Sequence, residues 1–494
     1  MNTTPTDTPK LRIQGALELS PAPESFSVAI APRYGHYIDG KHVAGSDKAD
    51  FTTVNPATGE ALSTIATGTQ DDVNAAVKAA RRAHDKTWGL LPGKERGKYL
   101  YRIARRLQER AREFAVLETR DNGKPIRETR DVDVPLAAAH FMYYAGWADK
   151  LQYAVPGGQP RSVGVCAQVI PWNFPLLMAA WKLAPALATG CTTVLKPAEQ
   201  TPLTAMLLSE ILDEVGLPPG TVNIVNGAGE TGAALVNHAD VDKVAFTGST
   251  GVGRIIMKSI AGTRKKATME LGGKGAHIVY ADAALDQAVE GIINGIFFNQ
   301  GHVCCAGSRL LVEESIADEL VERLKRRIEA LVIGDPIDKN TDIGAINSAE
   351  QLATVNRYLQ IAEDEGATIW QGAACKTPTG GGYWVPPTLL TGVQQTDTVV
   401  REEIFGPVLS ILTFRTPDEA VKKANDSEFG LSAGVWSEKT SKLFATAHQL
   451  NAGVVWANGY NLFDPASPFG GVRHSGFGRE GGLHGLWAYL GGLP

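Results

Sequence analysis

Hydrophobic and polar positions alternate along the middle of the chain in a pattern that predicts a parallel sheet. Short apolar runs that suit buried strands are separated there by longer segments at helical spacing. The strand candidates are Val163–Ile170, Thr192–Leu195, Val222–Val225, Lys243–Thr247 and Thr268–Leu271. Strand and helix in turn favour a parallel sheet with helical crossovers, and such sheets bind ligands at the carboxyl ends of their strands. We therefore expect this half to hold a nucleotide.

A second alternation runs from Gly275 to about Asn451 and predicts another α/β unit. It opens with a strand candidate at Ala276–Tyr280 and continues with a helix from Asp286 through Phe297. The polar segment that follows this helix ends in two cysteines. The chain as a whole is therefore predicted to be α/β with at least two domains, as its length of 494 residues also suggests.

Composition narrows the class of protein. Hydrophobic residues make up 44% of the chain and charged residues 20%, which is typical of a globular protein. The net charge of −5 is mild and evenly spread, so we expect no nucleic-acid partner. Five cysteines without disulfide spacing, no signal segment and no long apolar run predict a cytoplasmic protein with no membrane contact. No C-x-x-C occurs and the ten histidines lack ligand spacing, so we expect no metal.

A soft nucleophile and a carboxylate stand in glycine-containing loops. Cys304 and Cys305 follow Asn299-Gln300-Gly301-His302, and Glu270 opens Glu270-Leu271-Gly272-Gly273-Lys274. Covalent catalysis needs such a nucleophile with a base, although either cysteine could equally be a small buried core residue. A Cys–His pair with His302 is disfavoured, because neighbours in sequence rarely face each other.

Three further motifs suit a nucleotide and an oxyanion, and each also has a plain structural interpretation. Phe246–Arg254 combines a strand, a glycine turn and a helix start that favour phosphate, or it is only a tight turn. Lys196-Pro197-Ala198-Glu199 could bind ribose hydroxyls, or be an exposed turn. Asn173, between Trp172 and Phe174, could donate to an oxyanion, or serve as a turn residue before proline.

A fourth motif, Glu402–Val408, offers a carboxylate and the Phe405 ring beside a glycine turn. These two groups could hold a nicotinamide and its ribose. The alternative is an acidic loop that ends in a core phenylalanine.

Taken in order, these motifs resemble the aldehyde dehydrogenase superfamily from about Tyr34 to Gly485. The family's plan implies a Rossmann-like NAD-binding domain, an α/β catalytic domain and a β-flap that serves oligomerisation. The resemblance implies these boundaries: an N-terminal extension at 1–32, the NAD-binding domain at 33–139 and 162–272, the flap at 140–161, the catalytic domain at 273–451, and a return to the domain interface at 452–494 with a short or missing C-terminal strand.

The same resemblance implies a role for each site residue and NAD as cofactor. Cys304 would attack an aldehyde, Asn173 would hold the oxyanion, and Glu270 would activate the water that cleaves the thioester. The implied cofactor-binding residues are Ile170, Trp172, Lys196, Glu199, Gly229, Gly248, Ser249, Gly253, Leu271, Glu403 and Phe405. The implied tunnel residues are Phe174, Trp181, Phe298, Phe463 and Phe469, an aromatic wall that suits apolar or aromatic aldehydes and also admits amino-aldehydes through cation–π contact.

Two departures from the family pattern affect the prediction. His302 replaces a more usual glutamine, and the segment from Gly485 to Pro494 lacks the family's further strand. This ending and the segment Leu17–Val28 look similar to the first domain of the two-domain family-sixteen members. We expect a homo-oligomer, a dimer rather than a tetramer, and keep as alternatives a CoA-acylating enzyme and a catalytically idle module of a larger assembly.

Overall fold

Two large sheets organise residues 20–492, the part of the chain that this computed structural model describes. The strands of that part, in chain order, are β1 Arg33–Tyr34, β2 His36–Ile38, β3 Lys41–Val43, β4 Asp50–Val54, β5 Ala61–Ala66, β6 Arg161–Ser162, β7 Val165–Val169, β8 Thr192–Lys196, β9 Val222–Ile224, β10 Lys243–Thr247, β11 Lys266–Glu270, β12 Ala276–Val279, β13 Arg309–Glu313, β14 Thr368–Gln371, β15 Thr388–Thr391, β16 Val408–Phe414, β17 Ser432–Trp436, β18 Val454–Ala457, β19 Gly476–Phe477 and β20 Leu490–Gly491.

Helices connect most of these strands. Within the same residues they are α1 Gln70–Lys86, α2 Gly93–Glu109, α3 Ala111–Asn122, α4 Ile126–Glu128, α5 Val134–Ala145, α6 Leu151–Ala154, α7 Pro175–Thr189, α8 Leu203–Glu214, α9 Gly229–Asn237, α10 Thr250–Ile260, α11 Leu285–Phe297, α12 Ala317–Ile328, α13 Ala349–Asp364, α14 Thr398–Arg401, α15 Pro417–Asn425, α16 Thr440–Ala447 and α17 Gly482–Trp487. A single π-helical turn, Thr129–Asp133, joins α4 to α5.

The first sheet has the strand order β19-β11-β10-β7-β8-β9-β2-β3. Its five central strands, β11 to β9 in this order, run parallel, which confirms the predicted parallel sheet. Successive residues of β8 serve different cores, because Val194 packs with α1 and α9 residues while Leu195 packs in the cluster that includes α7 and α8. Both faces are therefore buried, as parallel sheets require. The carboxyl ends of β7, β8, β10 and β11 meet at one edge.

The second sheet has the order β14-β15-β16-β13-β12-β17-β18, parallel except for β14. It begins with β12 at Ala276, close to the predicted boundary at 273. Its edge strand β18 lies beyond 451, so the catalytic sheet extends further than we predicted. The segment after β18 then sends β19 to the first sheet, where it pairs with β11.

The segment 140–161, where the resemblance implies a β-flap, is helical or irregular for most of its length. Helix α5 continues to Ala145 and α6 occupies Leu151–Ala154, so a strand appears only at β6, which pairs antiparallel with β20. Phe141 and Tyr144 are buried at helical spacing, which extends the helix into this segment. The next run, Val155–Pro160, contains two prolines and two glycines, which disfavour a strand.

The described part of the N-terminal extension lies along the loop that follows α12. The Glu24 backbone N–H donates to the Ile337 carbonyl at 2.9 Å, and Pro23 forms a bridge with Asp338. Residues 1–19 of the predicted extension lie outside the described residues. Among residues 20–492, no helix is long and apolar enough to cross a membrane.

Candidate active site

The chain turns sharply between α11 and Cys304. Asn299 and Gln300 have φ values of 48° and 53°, in the left-handed region that non-glycine residues seldom adopt. This turn presents Cys304, partly exposed, to a cavity of about 280 Å³. Cys305 also touches the cavity but is only 1% exposed, and its carbonyl accepts the Tyr460 hydroxyl at 2.8 Å. Cys304 is therefore the more accessible thiol of the pair.

Glu270 stands at the carboxyl end of β11 and lines the same cavity. Neither of its carboxylate oxygens has a hydrogen-bond partner, although both are buried. The glycines that follow allow this loop to approach the cysteine loop, because a Cβ added at Gly273 would lie 2.3 Å from the Cys304 carbonyl oxygen. The two predicted reactive groups thus meet in one cavity through a contact that only glycine permits.

Asn173 reaches this cavity from the carboxyl end of β7. Its Nδ2 donates to the His302 carbonyl at 2.8 Å, and the residue is buried. A side-chain amide carries two hydrogens on Nδ2, so this bond fixes the group and leaves the second hydrogen for a ligand. Cys304, Glu270 and Asn173 are brought together as the sequence predicted.

The surroundings of the Cys304 thiol and the Glu270 carboxyl group favour the neutral form of each. The hydrogen bond to Cys305, followed by burial, raises the pKa of the Cys304 thiol well above its ordinary value. Burial, followed by the charge of Glu480, raises the pKa of Glu270 well above 4.5, with Lys182 acting in the opposite direction. Burial also lowers the pKa of His302 to about 3, so this imidazole is neutral between the Trp172 and Phe405 rings that it contacts.

Aromatic side chains wall the outer part of the cavity. The Phe174 and Phe298 rings stack with centroids 6.1 Å apart, and Trp181 contacts the Phe463 and Phe469 rings at 6.2 and 5.4 Å. All five predicted tunnel residues line the cavity. Sequence reasoning missed most of its aliphatic lining, which includes Val132, Leu136, Leu177, Met178, Val303 and Ile404.

A second cleft of about 500 Å³ joins this cavity at the carboxyl edge of the first sheet. Seven predicted cofactor residues line it: Ile170, Trp172, Lys196, Glu199, Gly229, Gly248 and Ser249. Leu271, Glu403 and Phe405 line the catalytic cavity instead. Gly253 lines neither space, because its Cα packs against Leu271, where an added Cβ would lie 2.5 Å from a side-chain carbon.

The donor set and the apolar surfaces of this cleft fit a dinucleotide. Ser249 caps the N-terminus of α10, an end that favours phosphate. Lys196 lies 3.3 Å from Glu199, and both side chains are able to hydrogen-bond hydroxyl groups. Val252 and Ile255, which the sequence did not single out, line the cleft while 45% and 66% exposed. Such an exposed aliphatic pair suits a flat base.

Comparison with known proteins decides the family. The model described as the aldehyde dehydrogenase family matches residues 42–491. The chain belongs to the aldehyde dehydrogenase family.

Relatives of this aldehyde dehydrogenase family member match it along most of its length. Human mitochondrial aldehyde dehydrogenase is 46% identical over 460 residues, 91% of this chain and 88% of that protein. The mitochondrial benzaldehyde dehydrogenase of Antirrhinum majus is 43% identical over 470 residues, 92% of this chain and 86% of that protein. The NAD⁺ complex of an aldehyde dehydrogenase from Bacillus cereus is 41% identical and superimposes with a TM-score of 0.89 over 93% of this chain and 95% of that chain. The predicted aldehyde dehydrogenase fold is confirmed.

A buried ion pair lies beside Glu270 in this aldehyde dehydrogenase fold, and sequence reasoning missed it. Lys182 Nζ contacts the Glu480 carboxylate and donates to the Thr247 hydroxyl at 2.7 Å. Glu480 lines the catalytic cavity with Glu270. One sequence signal could have revealed the pair: Lys182 is the single charge in α7, whose other residues are almost all apolar.

Proposed function

We propose that this aldehyde dehydrogenase oxidises apolar or aromatic aldehydes to carboxylic acids with NAD. The proposal rests on one observation: a thiol, a carboxyl group and a side-chain amide share an aromatic-walled cavity that opens into a cleft suited to a dinucleotide. Each chemical step of the oxidation has a side chain at hand. Aldehyde, NAD⁺ and water give acid, NADH and a proton.

Cys304 carries the covalent step. The thiol proton passes to water, the sulfur bonds to the aldehyde carbon, and the carbonyl π electrons move to oxygen. The free Nδ2 hydrogen of Asn173 and the Cys304 backbone N–H donate to this oxyanion. The partly exposed position of Cys304, compared with the nearly closed position of Cys305, supports the choice of nucleophile.

NAD, when bound, supplies the acceptor for the hydride that leaves the substrate carbon. We assign Lys196 and Glu199 to its adenine ribose, Gly248 and Ser249 to its phosphates, and the Glu403 region to its nicotinamide ribose. The lining of the two cavities supports this assignment for all predicted cofactor residues except Gly253. The Glu199 carboxylate would repel a 2′-phosphate, which favours NAD over NADP.

Glu270 completes the reaction by hydrolysis of the Cys304 thioester. In its ionised form it takes a proton from water, the hydroxide oxygen bonds to the acyl carbon, and the carbon–sulfur bond breaks. Cys304 regains a proton and the acid leaves. Lys182, which lowers the pKa of Glu270, and Glu480, which raises it, set how readily Glu270 gives its proton away between turnovers.

The substrate class follows from the cavity wall. Phe174, Trp181, Phe298, Phe463 and Phe469 present aromatic faces, and the name of the Antirrhinum majus relative is consistent with an aromatic aldehyde. We expect benzaldehyde and medium-chain aliphatic aldehydes to give higher kcat/KM, measured by NADH absorbance, than betaine aldehyde. Equal or greater efficiency with the quaternary ammonium aldehyde would overturn this substrate class.

Two alternatives from the sequence remain open to a direct test. A CoA-acylating enzyme would give an acyl-CoA, whereas Glu270-assisted hydrolysis gives the free acid whether or not CoA is present. A catalytically idle module would show no NADH formation with any aldehyde. Product identification with and without CoA, with Cys304→Ala as the inactive control, separates all three.

Assembly and location are further proposals. We propose kinship with the first domain of the family-sixteen members and a homodimeric state, supported by the short antiparallel pairing of β6 with β20, two residues on each strand. Static light scattering on the purified chain tests the homodimeric state, and a tetramer would contradict it. Five free cysteines support a cytoplasmic location.

A further inference from the structure

Four ionisable side chains are buried next to the oxyanion amide and take no part in the reaction described above. They are Glu118, Lys124, Glu128 and Asp133. Lys124 Nζ lies 2.6 Å from Asp133 and 3.8 Å from Glu118, and it faces the Phe174 ring at 4.0 Å. Ionisable groups are costly to bury, so such a cluster calls for an explanation.

The two glutamates of this cluster hold backbone groups on either side of Asn173. Glu128 Oε2 accepts the Asn299 backbone N–H at 2.9 Å, and Glu118 Oε2 accepts the Leu176 N–H at 3.2 Å. Leu176 lies in the first turn of α7, three residues after Asn173. Asn299 belongs to the turn before Cys304, so the cluster ties the two loops that form the catalytic cavity.

Asn299 transmits the contact with Glu128 directly to Asn173. Its Nδ2 donates to the Asn173 carbonyl at 2.8 Å and lies 3.4 Å from the His302 carbonyl. That same His302 carbonyl accepts the side-chain amide of Asn173. Asn299 is fully buried and left-handed, a conformation that persists only where surrounding contacts hold it.

We propose that Glu128 is a positioning residue for the oxyanion amide, acting through Asn299 on Asn173. Glu128 holds the left-handed Asn299, and Asn299 sets the position of Asn173 and of the carbonyl to which the Asn173 amide is fixed. The amide's second hydrogen is thereby aimed at the substrate oxygen before substrate arrives. This role rests on the proposed function, in which Asn173 donates to the oxyanion.

The test separates oxyanion stabilisation from the other properties of the cavity. p-Nitrophenyl acetate reports acylation without NAD: the Cys304 sulfur displaces p-nitrophenolate from the acetyl carbon, and water then hydrolyses the acetyl thioester. Iodoacetamide alkylates the same sulfur without an oxyanion, so it reports only access and reactivity of the thiol. NAD titration and aldehyde kinetics complete the set for each variant.

We expect Glu128→Leu to lower acylation and aldehyde kcat by about 10- to 100-fold, because a small misplacement of an oxyanion donor has effects of this order. The alkylation rate and the NAD affinity should stay within about threefold of the parent values, because a difference of that size is common between variants that do not affect the measured step. Glu128→Gln should recover most of the loss, because its amide oxygen still accepts the Asn299 N–H.

Asn299→Asp is a second route to the same result if Glu128→Leu folds poorly. It keeps the backbone bond to Glu128 but replaces the Nδ2 donor by an acceptor, so acylation should fall without a change in alkylation. Its effect should not add to that of Glu128→Leu, since both break one chain of contacts.

Asp72 offers a matched control. Like Glu128 it is 6% exposed and its carboxylate accepts a backbone N–H, that of Thr69 at 3.0 Å, but it caps α1 away from the cavity. Asp72→Leu should reduce stability and leave the acylation rate unchanged.

Parent-like acylation in Glu128→Leu, a parallel fall in alkylation, or a loss in Glu128→Gln as large as in Glu128→Leu would each overturn the proposal. Failure of the proposed function looks different: the parent chain itself would then reduce no NAD with any aldehyde, while the effect of Glu128 on acylation would still be measurable.

Discussion

Replacing Glu270 by glutamine should separate the two halves of the reaction. The substitution keeps the size of the side chain and removes the base that activates water. General base catalysis contributes about 10²- to 10⁴-fold, so steady-state turnover should fall by a factor in that range. The steps before hydrolysis do not need the carboxylate. Rapid mixing should therefore show a burst of about one NADH per active site followed by a slow steady rate.

The parent enzyme should also show a pH dependence that Glu270→Gln lacks. Only the ionised carboxylate is a base, and burial together with Glu480 raises the pKa of Glu270 well above 4.5. The ionised fraction therefore grows about tenfold per pH unit until that raised pKa is reached. Steady turnover of the parent should climb with pH over this range.

The raised pKa of Glu270 also predicts that the folded protein becomes less stable as pH rises. Between the unfolded pKa near 4.5 and the raised folded pKa, the folded state binds the Glu270 proton more tightly than the unfolded state. Stability from this group is thus complete below pH 4.5 and falls by about 1.4 kcal/mol per unit as pH rises through the window. Glu270→Gln should therefore unfold at a higher temperature than the parent at pH 8, with the difference vanishing towards pH 4.5.

These outcomes can refute the reasoning. Parent-like turnover in Glu270→Gln would show that another group activates water. Loss of the NADH burst would show that the carboxyl group acts before hydride transfer. An equal unfolding temperature at pH 8, measured by calorimetry, would contradict the raised pKa.

Four other substitutions test the remaining parts of the site. Cys304→Ala should abolish NADH formation. Cys305 is almost fully buried, so Cys305→Ala should keep at least a tenth of the parental kcat. Removal of a nucleophile lowers kcat by much more than tenfold. Glu199→Ser should raise the ratio of kcat/KM for NADP over NAD by about tenfold or more, because the carboxylate no longer repels the 2′-phosphate. Lys182→Met breaks a buried ion pair and should lower the free energy of unfolding by about 3–5 kcal/mol, read from urea denaturation; no loss would show that the pair is not needed.

Local pattern was enough to predict the elements and the motifs. The predicted strand Lys243–Thr247 coincides with β10, and the predicted helix from Asp286 through Phe297 differs from α11 by one residue. Both follow from side-chain period, a property of residues two to four apart. Glycine motifs such as Gly272-Gly273 could also be recognised in the sequence, because a close approach of two backbones requires glycine at the point of contact.

Contacts between segments that are distant in the sequence could not be predicted from local pattern. The resemblance to the family implied a β-flap at 140–161. In the structure α5 continues through the first residues of this segment, because Phe141 and Tyr144 are buried against the core. Lys182 and Glu480 are 298 positions apart, and only folding brings them together beside Glu270.

The sequence by itself thus determined the class of fold, the central strands of both sheets and the chemistry available to the site. Tertiary structure decided which buried groups face one another, and through them the ionisation of Glu270 and the orientation of Asn173. The physical reason is that periodicity reports which face of an element is buried, whereas a pKa or a hydrogen bond depends on the particular neighbours that packing places there.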